Sequence, residues 1–170
     1  MLVFIAGTPA DVFAPELANG IETELGARFP SLSMVAAEVY RSEGVEPIGW
    51  SRLQARVAQS IPSAPHLTSI DAYQSVYLPM PLAAVQHLII PNAADPLEVG
   101  SLDALLEELR QFAASAELPT DDVEMMQLSA HYLEDDALFD QDLDVQTYLQ
   151  LMLAAKQSAA NGLPLWISIE

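Results

Sequence analysis

Asp140, Asp142 and Asp144 alternate with single residues to give D-x-D-x-D. Carboxylates at that spacing open an EF-hand calcium loop, where positions 1, 3 and 5 wrap the ion. The rest of the loop is missing. Val145 stands where the sharp turn needs Gly, and Leu151 where a bidentate Glu completes the sphere. Val145 and Leu149 are spaced for a helix, so the three aspartates read as an acidic loop ending in a helix N-cap. His131 and Asp135 are four residues apart, on one face of a helix, as two metal ligands would be. They match half of an H-x-x-E-H pattern, with Asp135 in place of the second His. The plainer reading is a surface or half-buried helical His. His87, in V-Q-H-L-I-I, has the titration range of a general base, but it fits the exposed face of a half-buried strand. His66 and His87 have no carboxylate close in sequence with which to form a local motif. Gly7-Thr8-Pro9 follows an apolar run and could cradle a phosphate, yet it lacks the glycine spacing and the Lys of nucleotide loops. It is read as a strand-to-helix turn.

The chain contains no Cys, which excludes disulfides, thiol nucleophiles, cysteine-ligated zinc and iron–sulfur clusters. No G-x-S-x-G hydrolase elbow is present. No catalytic residue, metal ligand set or cofactor is assigned from the sequence.

The dominant chemistry is charge. The 170 residues carry 24 acids and 6 bases, a net charge of −18. Residues 95–144 contain 15 of those acids and one base, Arg110. Within them, Asp121, Asp122, Glu124, Glu134, Asp135, Asp136, Asp140, Asp142 and Asp144 follow one another with no intervening base. Such a segment repels nucleic-acid phosphates and anionic membranes. It attracts a basic protein, steers its approach and meets Lys and Arg in charge-assisted hydrogen bonds. It also imitates the spaced phosphates of nucleic acid. The competing reading is that the acids keep an apolar-rich protein soluble. Of the two Trp residues, Trp50 in Pro47-Ile48-Gly49-Trp50 is placed in a loop as an interface anchor, and Trp166 in the core.

The elements that must hold these residues follow from apolar periodicity. Leu2–Ala6 reads as a buried strand, and Phe13, Leu17, Ile21 and Leu25 as a helical stripe starting near Pro15. Gly26 and Pro30 bracket its end. Ser33–Tyr40 tilts to strand through Val35 and Val39. Ser51 and Gln54 fit a capping box for a helix carrying Leu53, Val57 and Ile61, stopped by Pro62 and Pro65. Ala72–Leu78 and Val85–Ile90 read as strands, and Pro91 and Pro96 enclose a loop. Three helices then follow. The first is capped at Ser101, with Leu102, Leu105, Leu106, Leu109, Phe112 and Ala113 inward and Glu107 and Glu108 pointing elsewhere. The second is capped by Thr120 or Asp121, with Val123, Met126, Ala130 and Leu133 as its stripe. The third starts near Asp144, with Val145, Tyr148, Leu149, Met152 and Ala155 inward, and ends at Asn161-Gly162. The last eight residues form a terminal strand.

This predicts a single domain of mixed α/β class, with α+β as the variant, having about five helices and about five strands. The acidic helical segment 95–161 packs on the sheet. The apolar N-terminal run lacks the basic flank and length of a signal peptide, and no run has the length of a membrane span, so a cytoplasmic location is expected. The expected function is non-enzymatic: an acidic protein that occludes a basic active site or groove on a partner. By analogy of size and charge, the partner is a toxin and the chain a bacterial immunity-type inhibitor. The alternatives are a small metal-dependent enzyme using His131 and the Asp cluster, and a structural subunit burying Trp50 and its Met-containing helices. Oligomeric state is left open.

Overall fold

Period-two alternation in three strands builds the centre of the molecule. In the computed structural model, which describes residues 1–135, 138 and 140–170, β1 (Leu2–Ala6) sends Leu2 and Phe4 to one face of a sheet and Val3 and Ile5 to the other. β6 (Leu165–Ile169) divides the same way, with Leu165 and Ile167 against Trp166. β3 (Ser75–Leu78) sends Tyr77 to the first face and Val76 and Leu78 to the second. Sheets buried on both faces need apolar residues along nearly the whole strand, and these strands supply them except at Ser75 and Ser168. With β2 (Tyr40–Arg41), β4 (Gln86–Leu88) and β5 (Leu97–Ser101), the order is β2-β1-β6-β3-β5-β4. Only β3 and β5 run parallel; the remaining pairs are antiparallel.

One face is covered by α2 (Pro15–Arg28), which buries Ala18, Ile21 and Leu25 and is preceded by the short α1 (Pro9–Val12). The other carries α3 (Pro47–Ser60), α4 (Pro65–Thr68), α5 (Leu102–Ala116), α6 (Asp122–Glu134) and α7 (Leu143–Asn161). The result is a mixed α/β single domain with three layers of unequal thickness. α7 is the axis of the thick layer. It packs against α3, α5, α6 and β1, and Leu143 and the eleven residues Val145–Ala155 are all buried. Its C-terminus is closed by Gly162 at φ +63°, the left-handed position that glycine occupies without cost.

Several expectations are corrected. Ser33–Val39 forms no strand; only Tyr40 and Arg41 pair, with β1. Val35 is 71% exposed, so β-propensity there had no buried face to act on. β5, inside the segment expected to be loop and helix, was missed because Pro96 and Gly100 flank and interrupt it. It is buried between β3 and β4, where Gly100 lies against the Tyr77 ring and Ile70. α3 starts at Pro47, not Ser51. Pro47 takes the first helical position, where a missing N–H costs nothing, and Gln54 donates to Leu67 O and Ile70 O instead of closing a capping box. Trp50, expected in a loop, therefore lies in the first turn of α3, 2% exposed, its indole N–H donating to Ile70 O. It is a core residue, not an interface anchor.

Candidate functional site

The acidic segment folds as an antiparallel helical hairpin. Ties along its length fix the pairing of α6 with α7. Asp122 at the start of α6 pairs with Lys156 near the end of α7, Ser129 Oγ accepts from Gln150 Nε2 at 2.6 Å, and Tyr132 near the end of α6 donates to Asp142 Oδ2 at 3.0 Å. The apolar side of the hairpin comes from Met125 and Tyr132, both buried. Asp121 is the N-cap of α6, its Oδ1 accepting from Val123 N and Glu124 N. The expected acid at that cap is present, and it satisfies two of the helix's otherwise orphan donors.

This arrangement sorts the nine acids. Asp144 is half-buried and bound to Arg56 of α3 at 2.6 Å, with the guanidinium 5.6 Å from the centroid of the Phe112 ring. It fastens the start of α7 to α3 and is spent inside the fold. Asp122 is engaged by Lys156, which also donates to Thr120 O at 2.9 Å. Asp142 caps α7 at φ +46° and holds Tyr132. Burial and that hydrogen bond push the Tyr132 hydroxyl up to about 12. Asp121, Glu124, Glu134, Asp135 and Asp140 are exposed, and Asp136 lies outside the described residues. The exposed acids form two groups, one at each end of α6. A helix rises about 1.5 Å per residue, so twelve steps from Asp122 to Glu134 separate the groups by about 18 Å. The sequence reading anticipated the acids but not this division, nor the loss of Asp144 to an internal ion pair.

The stripe expected to face the core of α6 does not. Val123, Met126 and Leu133 are 60%, 58% and 43% exposed, and Met125, Ser129 and Tyr132 are buried instead. Both sets recur at helical spacing, so periodicity alone could not choose between them. The partners on α7, Gln150 for Ser129 and Asp142 for Tyr132, made the choice. Glu108 is the opposite surprise. Expected to point away, it is buried, and its carboxylate accepts from His66 N at 3.1 Å and Leu67 N at 2.8 Å. It thereby caps α4 from a distant helix. The same His66 accepts from Ser101 N through Nδ1 at 2.9 Å, and Tyr77 donates to His66 O at 2.8 Å.

His131 is exposed on α6. Among the described residues no group of three or more His, Asp or Glu side chains could hold a metal ion. His87 is exposed on β4 and lies 3.3 Å from Glu98 of β5, a cross-strand pairing that sequence separation concealed. Beside it, Asp71, Tyr73 and Asp95 complete a second acidic surface around an open hollow of about 310 Å³. Among the described residues no helix is long and apolar enough to cross a membrane. Gly7-Thr8-Pro9 is the turn expected: Thr8 precedes α1, and Asp11 Oδ2 accepts from its N–H and its hydroxyl, both at 2.7 Å.

A family model described as "Putative DNA-mimic protein" matches residues 23–167. The chain belongs to this DNA-mimic family. The match covers all of the helical hairpin and most of the fold that carries it, from within α2 to the middle of β6. No curated protein and no solved structure matches the chain. In a DNA mimic, carboxylates stand where a duplex holds phosphates.

Proposed function

We propose that the protein is a non-enzymatic mimic of the charge of DNA that binds and occludes a basic, nucleic-acid-binding surface on a partner protein. Its finer form is that the partner is a nucleic-acid enzyme or a toxin, and that the protein serves as its inhibitor in a bacterial cytoplasm. The observation that carries this reading is the pair of exposed acidic groups about 18 Å apart at the two ends of α6, in a chain of the DNA-mimic family. A duplex spaces its charges at about 3.4 Å per phosphate along each strand, so that distance spans about five base steps. Lys and Arg placed for phosphates on either side of a groove would meet carboxylates at similar separation, and each contact is a charge-assisted hydrogen bond. Steering by a net charge of −18 speeds encounter at low salt.

The test is capture of binding proteins from the source lysate at low and moderate salt, followed by competition. A stoichiometric, basic, salt-sensitive partner that releases DNA as this protein is added is the expected result. The variant for that assay changes Glu124, Glu134 and Asp140 together to Lys. All three are exposed and hold no side-chain partner among the described residues, so the fold should survive, which a thermal melt of the variant checks. Association at low salt should slow by about tenfold or more, and its salt dependence should flatten. Unchanged association in that variant overturns the assignment of the hairpin as the interface.

A further inference from the structure

The second stripe of α6 has no role in imitating phosphates. Val123, Met126 and Leu133 are exposed on α6 and Ala130 is half-buried. Met126, Ala130 and Leu133, with Ser129, form one wall of an open groove of about 300 Å³. Gln150 and Leu153 of α7 make its floor, and Tyr40, Arg41 and Glu43 its opposite wall. A smaller hollow of about 200 Å³ continues it past Tyr40, along Val39 and Gln157. Exposed apolar side chains in isolation need no explanation, but a contiguous row lining a groove marks a surface that another molecule covers.

Charge selects the occupant. The two bases nearest the groove are already neutralised, Arg41 by Glu170 and Lys156 by Asp122. Glu38 and Glu43 are exposed beside β2, and Glu124 and Glu134 on α6. The effect is felt within the groove: burial, and then the charges of Glu43 and Asp122, raise the Tyr40 hydroxyl above its ordinary value. A second copy of a chain with net charge −18 would bring like charge onto this rim. A basic segment would meet opposite charge. Residues 126, 130 and 133 of that wall repeat at i, i+4, i+7, the spacing at which a groove reads an amphipathic partner helix, and Met adapts to the side chains that enter.

We propose that this groove takes the apolar face of a basic amphipathic helix, whose Lys and Arg reach the carboxylates of the rim. The inference rests on the DNA-mimic reading for the sign of the partner's charge and goes beyond it in one respect. DNA offers no such apolar groove, so a partner that uses it distinguishes this protein from the nucleic acid it imitates.

The experiment uses two labelled synthetic peptides of identical Leu/Lys composition. One is patterned as an amphipathic helix; the other is scrambled so that it has no apolar face. Binding to the full-length protein is read by fluorescence anisotropy at low salt and at about 0.5 M NaCl, where the Debye length is only a few ångströms. The amphipathic peptide should bind in both conditions, and the scrambled one only at low salt. Met126→Ser, which adds no charge at an exposed position, should weaken the amphipathic peptide by about tenfold and leave the scrambled one unchanged. In the NMR spectrum, the Met126 methyl should shift with the first peptide only. Equal loss of both peptides at high salt, an unmoved Met126 methyl, or a Met126→Ser variant that binds as wild type overturns the groove. So does a dimer in light scattering that Met126→Ser dissociates, because the occupant is then a second copy. The two readings fail separately. Low-salt binding of both peptides that is abolished by the Glu124, Glu134 and Asp140 reversal keeps the charge mimicry even where the groove is refuted.

Discussion

Glu108 and His66 form a buried polar knot whose members depend on one another. Replacing Glu108 by Ala leaves the N–H groups of His66 and Leu67 without an acceptor under α4, and each buried orphan donor costs about 1–3 kcal/mol. Urea denaturation should show a loss of at least that size for Glu108→Ala and a smaller one for Glu108→Gln, which retains one acceptor. The knot also sets a pH dependence. Burial lowers the His66 imidazole below its ordinary value. Between that lowered value and about 6.5 the unfolded chain holds more protons, so His66 makes stability fall as pH falls through the window. Glu108 acts with the opposite sign. Burial raises its carboxyl despite two N–H groups that pull it down, so its contribution grows as pH falls from the raised value toward the ordinary carboxyl range. His66→Asn, which keeps an acceptor for Ser101 N, removes only the first effect. Its stability should therefore decline less than that of wild type between about pH 7 and pH 5.5 in parallel urea titrations. Neither residue was legible in the sequence. Glu108 sits in an acidic run whose other members face solvent, and its ligands come from a segment some forty positions earlier. The acidic cap at Asp121 was legible, because its partners lie two and three residues away.

At the scale of elements, α3 and α7 pack extensively and, at Gly49, tightly. A Cβ on Gly49 would lie 2.3 Å from Thr147 Oγ1 and 2.7 Å from Leu143 O. Gly49→Ala should lower stability by about 1–3 kcal/mol, the usual cost of forcing atoms into a packed interior, and a thermal melt will register it as a drop of several degrees. The strands Leu2–Ala6 and Leu165–Ile169 were readable as apolar runs, and α5 from its six-residue stripe; the five-residue stripe of α7 located that helix but not its burial on all sides. α6 was not. It carries two stripes, and the hydrogen-bonding residues of α7 decide which is inward. Ser33–Val39 failed for a related reason: its β-branched residues never gain a covering layer.

Over the whole molecule, charge of one sign accumulates faster than ion pairs compensate it. Among the described residues Arg41, Arg56 and Lys156 are the bases held in ion pairs, against a net charge of −18. Self-repulsion on that scale destabilises a compact state and is screened by salt. Raising NaCl from low concentration to about 0.5 M should therefore raise the melting temperature by several degrees. A fall would show that the ion pairs contribute more than the repulsion costs. The excess and its concentration in residues 95–144 were plain from composition alone. Which carboxylates are tied up within the fold was not, because Asp144 and Asp122 find their cations 88 and 34 positions away.

β6 stands between β1 and β3, joining the earliest strand of the chain to the middle one. Without it, the sheet is a two-stranded ribbon and a separate three-stranded piece. During translation β1 emerges before its partners and finds β2 and the bridge from Leu2 to Val45 on one edge, while its long partner on the other, set in register from Leu2↔Ile169 to Ala6↔Leu165, is still unmade. An apolar strand thus waits with an open edge until its long partner is made, the condition under which nascent chains aggregate or recruit chaperones. Completion then requires a closure between strands about 160 positions apart, a non-local pairing of the kind that slows folding. A cell that must raise the protein's concentration quickly would be limited by that closing strand.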